Sequence, residues 1–158
     1  MIEQICLNDV LLDGAKEVFE TMIFMEMEKT EEVPNDNSDA VLGSITFKGS
    51  LEGILSMCYS ADCAKSIAAN MLGMDIDDGM SQEDINDAIG EVANMVMGSV
   101  KTRIRDTYTN IDVSIPSVVT GQKLQNTASD SITKAEVSVC LEDEHFAKFL
   151  LLYREKNN

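Results

Sequence analysis

The sequence predicts an α+β domain in two layers, with helices packed on one face of a mainly antiparallel sheet. Three observations carry this. Between Asp84 and Arg105, Ile85, Ile89, Val92, Val96 and Val100 recur at helical spacing. Val41–Phe47 and Leu51–Tyr59 are two apolar-rich runs joined by Lys48-Gly49-Ser50, the pattern of a hairpin. Ala135, Val137, Val139 and Leu141 alternate with Lys134, Glu136, Ser138 and Cys140, the pattern of a half-buried strand.

In chain order, residues 8–25 form the first helix, with Asn8 as N-cap and Val10, Leu11, Ala15, Val18, Phe19, Met22 and Ile23 on its apolar stripe. Met22, Met25 and Met27 read as gap-filling core. Residues 26–40, acidic and containing Pro34, read as a surface loop. After the hairpin, Ser60 caps a helix carrying Ala64, Ile67, Ala68 and Leu72, which stops at Gly73. An Asp-rich turn, 75–79, leads into Ser81-Gln-Glu-Asp84, a capping box for the long helix. Beyond Arg105 the period changes. Ile111, Val113 and Ile115 alternate with polar residues up to Pro116, where an edge, a bulge or a strand end is expected. Residues 122–130 are a polar loop, 142–144 a turn, 146–153 a more fully buried strand and 154–158 a frayed tail. A chain of 158 residues fits one domain, 1–158, with a core of its own.

Composition narrows the function. Twenty-eight acidic against 12 basic residues give a formal charge of −16, which argues against nucleic acid or an anionic membrane as partner. The longest apolar block, Phe149–Tyr153, is far too short to span a bilayer, and no signal peptide is apparent. Cys6, Cys58, Cys63 and Cys140 lack zinc-site spacing and read as buried, reduced thiols of a soluble cytoplasmic protein. Neither 26–40 nor 75–79 has the ligand series of an EF-hand, and no phosphate-binding glycine loop is present. His145 stands alone, so no nucleophile–histidine pair is evident. The chain has no self-contained active site and no metal ligand set.

What remains is the polar side of the long helix. Asp87, Glu91, Asn94, Gly98, Lys101 and Arg105 gather there. Gly98 costs a helix interior about 1 kcal/mol relative to alanine, and Asn94 gains nothing locally mid-helix. A carboxylate, a carboxamide and bare backbone on one exposed ridge suit docking on another protein, whose site they can complete.

Glu91-Val-Ala-Asn94-Met-Val-Met-Gly98-Ser-Val-Lys101 resembles the Glu-x-x-Asn signature helix of the CheC/CheX/FliY phosphatases of bacterial chemotaxis. Ser114-Ile-Pro-Ser-Val-Val-Thr-Gly121 resembles the segment that follows it in that family, and element order agrees over nearly the whole chain. The resemblance implies a CheC-like fold and hydrolysis of the aspartyl phosphate of a CheY-type response regulator. Asn94 would position the attacking water and Glu91 would contact the regulator's active-site lysine, while Asp87, Gly98 and Lys101 would border the partner. Mg2+ would be held by the regulator, with no cofactor bound by this chain. The first helix reads Glu17-Val-Phe-Glu20. Glutamate replaces the asparagine of a second signature there, so one site per chain is expected, closer to CheX than to CheC, and with it a homodimer. The rival reading is an adaptor or flagellar-switch-like module that binds a regulator without dephosphorylating it.

Overall fold

The structure, a computed structural model, describes residues 6–31, 39–75, 79–122, 132–142 and 145–156. The expected loop 122–130, apart from Gln122, and most of the turns at 75–79 and 142–144 lie outside them. Three helices, α1 (Leu7–Val18), α2 (Ala61–Leu72) and α3 (Gln82–Ile104), pack on one face of a seven-stranded sheet. Its strands are β1 (Met27–Lys29), β2 (Asp39–Lys48), β3 (Leu51–Ser60), β4 (Asp112–Val113), β5 (Ser117–Gln122), β6 (Thr133–Leu141) and β7 (His145–Glu155). The order is β1-β6-β7-β3-β2-β4, with β5 also on β2, and every pairing is antiparallel.

The predicted hairpin forms β2 and β3, with Ile45 opposite Leu55 and Phe47 opposite Gly53. Ser60 Oγ accepts from the Cys63 amide and Gly73 stops α2 at φ 65°. The strand expected at 111–115 shrinks to Asp112–Val113, and pairing with β2 resumes at Ser117, opposite Ser44, so the chain at Ser114–Pro116 forms the expected bulge. Ser114 bridges the gap. Its N–H donates to Thr46 O (2.9 Å) and its hydroxyl accepts from the Thr46 N–H (3.0 Å). Ile111 is buried, but Ile115 is 89% exposed.

Other expectations change as well. The N-cap of α1 is Cys6, and Asn8 lies inside the helix. The stretch 26–40 is not all loop: Met27–Lys29 add a strand to β6 and β2 begins at Asp39. The last strand extends through Arg154, whose side chain pairs with Glu52, so the tail is ordered further than expected. Only Cys63 is buried, with Cys58 and Cys140 half-buried and Cys6 exposed. Burial pushes the Cys63 thiol up to about 12.

The first helix does not continue to residue 25. It widens into a π-helical turn at Phe19–Ile23. Phe19 packs edge-on against Phe149 (ring centroids 5.8 Å apart), which in turn meets Tyr59 edge-on. Phe19 and Ile23, four residues apart, are both in the core. Met22 is turned out and is 54% exposed, whereas Met25 and Met27 are buried as expected. Asn70 of α2 donates to the Ile23 carbonyl (3.1 Å), and Phe24 ends the turn at φ 63°.

Gly53 offers a test of the β3–β7 register. A Cβ there would collide with the Leu152 carbonyl oxygen. Gly53→Ala is expected to destabilise the protein by about 1–3 kcal/mol in urea unfolding; unchanged stability would contradict the register.

Candidate functional site

The site is built on α3. Ser81 and Asp84 form the predicted capping box, with Ser81 Oγ accepting from the Asp84 amide (3.1 Å) and Asp84 accepting from the Ser81 N–H (3.3 Å). Acidic side chains in the first turn and basic ones in the last complement the helix dipole. Ile85, Ile89, Val92, Val96 and Val100 are all buried. This fixes the rotation of α3, so Asp87, Glu91, Asn94, Gly98, Lys101 and Arg105 are all exposed. Glu91 and Asn94 stand one turn apart, about 4.5 Å along the axis. Among the described residues, neither Asp87, Glu91, Asn94 nor Lys101 takes a side-chain hydrogen bond or an ion pair. A carboxylate and a carboxamide are therefore presented with their full capacity free. The ridge is also polarised, with Asp87 and Glu91 before Asn94 and Lys101 and Arg105 after it.

Both flanks of the ridge are defined. On one, Pro116 lies over Gly90, 3.5 Å from where a Cβ would stand, so the second family-like segment abuts the residue before Glu91. On the other, a groove of about 670 Å³ separates α3 from the end of α1, with Met22, Met95, Gly98 and Thr102 among its lining. A Cβ added at Gly98 would meet nothing within 4 Å. Among the described residues, nothing requires a glycine there.

The first helix is arranged differently. Glu17 accepts from Arg103 (2.8 Å) and from the Ser99 hydroxyl (3.2 Å), both on α3. Glu20, the residue at the asparagine position, falls inside the π-helical turn. Only α3 offers the free carboxylate–carboxamide pair. Sequence reading missed the groove, since a π-helical turn has no sequence signature and Met22 carried the spacing of a core residue.

Among the described residues, no group of three or more His, Cys, Asp or Glu is placed to hold a metal ion. His145 Nε2 shares a hydrogen bond with Ser66 Oγ (3.2 Å), which accounts for it structurally. No described helix is long and apolar enough to cross a membrane.

The sequence model of the family "Chemotaxis phosphatase CheX" matches residues 41–140, which include the hairpin, all of α3 and the Pro116 segment. The chain belongs to the CheX family. A curated relative, "CheY-P phosphatase CheX" of Thermotoga maritima, is 28% identical over 104 residues, 63% of this chain and 64% of that protein. The match thus spans somewhat less than two thirds of the relative's length. Among solved structures, the chemotaxis protein CheX of Vibrio vulnificus superposes with a TM-score of 0.79 at 22% identity, covering 98% of this chain and all of that one. CheX of Borrelia burgdorferi, solved in a complex with CheY, BeF3 and Mg2+, gives 0.76 at 21% identity, covering 96% of this chain and all of that one. The two structures share the fold of this CheX-family chain: helices on one face of an open, mainly antiparallel sheet.

Gly98 tests whether the ridge is shaped for something outside the chain. Gly98→Ala is expected to raise stability by about 1 kcal/mol, since the added methyl meets open space and improves helix propensity. The melting temperature would rise by about 2–4 °C. A fall would show that the glycine serves the chain's own packing.

Proposed function

We propose that this chain hydrolyses the aspartyl phosphate of a CheY-type response regulator by laying α3 against the regulator's active site. The observation that carries this is the exposed, unpartnered Glu91 and Asn94, one turn apart on the helix whose sequence resembles the signature of a chemotaxis-phosphatase family. Two further facts support it: the curated relative is named a CheY-P phosphatase, and the Borrelia relative was solved with CheY.

In this reading Glu91 meets the regulator's active-site lysine and sets the direction of docking through an ion pair. Removing water from that contact strengthens it relative to a surface pair. Asn94 enters beside the phosphoryl group, and its amide holds a water in line with the bond to be broken. Water attacks phosphorus, the phosphorus–aspartyl oxygen bond breaks, and the carboxylate leaves with release of inorganic phosphate. Such a loose displacement gains mainly from positioning, which one well-placed amide can supply. Mg2+ is the regulator's; this chain contributes no ligand set to it. Asp87 and Lys101 border the contact on either side of Asn94, and Gly98 lets the partner's backbone approach. Both central side chains come from one helix, so a single chain can act whether or not it forms the homodimer that the resemblance implies.

The test is phosphate loss from a phosphorylated CheY-type regulator. Wild-type protein is expected to accelerate it, and Asn94→Ala to lose about 100-fold or more of the acceleration. The exposed site makes Asn94→Ala neutral for folding, to within about 0.5 kcal/mol. Glu91→Ala is expected to raise KM. Full activity in Asn94→Ala would overturn the assigned role; tight binding by wild-type protein without acceleration would establish the adaptor instead.

A further inference from the structure

The docking ridge is too narrow to be the whole interface. From Asp87 to Arg105 it runs about 27 Å, and one helix width makes it under roughly 300 Å². A specific protein contact covers about 800 Å² per partner. A partner centred on Asn94 must therefore spread over a flank, and the α1 flank carries an open, partly apolar groove. Gly98 belongs to both ridge and groove, so a body seated over Asn94 reaches the groove without a barrier between.

Three features shape this groove for an occupant from outside. The π-helical turn at Phe19–Ile23 turns Met22 away from the core and toward α3, where Met95 forms the facing wall. π-Helical turns break the regular hydrogen-bond repeat and recur at functional sites. Methionine side chains are flexible and polarisable, and suit a surface that must accept a shape it does not fully predefine. At one side, Glu17 is held by Arg103 and Ser99, so its carboxylate is neutralised by the chain itself and does not compete for the regulator's lysine. Gly98 leaves the passage between the two surfaces open.

Resting on the reading that α3 docks a phosphorylated regulator, we infer that the groove between Met22 and Met95 receives an apolar side chain of the regulator from the surface bordering its phosphorylated aspartate. Glu91 and Asn94 then act on the reacting centre, while the groove contributes affinity and register. Its contacts are the same before and during the reaction, so they act on KM and leave kcat in place.

The experiment is steady-state phosphate release against regulator concentration for wild-type protein, Met22→Glu, Met22→Leu, Thr102→Arg and Asn94→Ala. Met22 and Thr102 are exposed, and thermal unfolding checks that each variant folds. Met22→Glu and Thr102→Arg, which place a charge in the groove from opposite walls, are expected to raise KM at least tenfold with kcat within twofold. Met22→Leu is expected to behave as wild type, and Asn94→Ala to lose kcat. Unchanged KM in both charged variants, with Asn94→Ala inactive, overturns the groove and leaves the ridge standing. Full activity of Asn94→Ala overturns the ridge, and the two charged variants still decide whether the groove takes part in docking.

Discussion

Burial of one stripe of α3 is the constraint on which the site depends. Ile85, Ile89, Val92, Val96 and Val100 are each at most 7% exposed. Burying five such side chains is worth, as an upper bound, about 7–15 kcal/mol. That matches the whole net stability of an ordinary domain, so α3 cannot roll about its axis without unfolding the protein. The opposite face is fixed outward with equal force. Glu91 and Asn94 need no hydrogen bonds of their own to be held in place; the rigidity is supplied from beneath.

The two helices that could carry the signature differ in local structure. On α3, the carboxylate and carboxamide remain free. On α1, Glu17 is an interhelical tie to Arg103 and Ser99, and Glu20 lies in a π-helical turn. Between exposed side chains such a tie is worth at most about 1 kcal/mol, so its consequence is less for stability than for specificity. It removes a competing acidic docking point on the helix beside α3, about two to three turns along from Glu91. The same turn exposes Met22 beside the groove.

Much of this was legible in the sequence, for identifiable reasons. Helix α3 is long and strongly periodic and starts at a capping box, so its buried and exposed faces followed from spacing alone. The hairpin and β6 were legible because alternation and the turn residues agreed. Local patterns could not show what depends on distant partners. Met27–Lys29 become a strand only because β6 lies alongside, and three residues carry no period. Ile115 shares the parity of a strand, but it lies in the bulge between Val113 and Ser117, which leaves its side chain in water. The burial of Phe19 and Ile23 followed from their spacing, but the π-helical turn that turns Met22 outward did not. Chemistry was legible only as a ridge with spare polar capacity, because the remaining components of the proposed site lie in another protein.

The central claim is that the amide of Asn94 goes to the reacting phosphoryl group of the regulator. The most direct measurement follows the Asn94 side-chain NH2 resonances by ¹⁵N NMR while a Mg2+-loaded, BeF3-activated CheY-type regulator is added. The account predicts that these resonances shift strongly with activated regulator, that residues 87–101 shift with them, and that inactive regulator produces much smaller changes. Binding that leaves the Asn94 side chain unperturbed, or that shifts another face of the molecule, would contradict it.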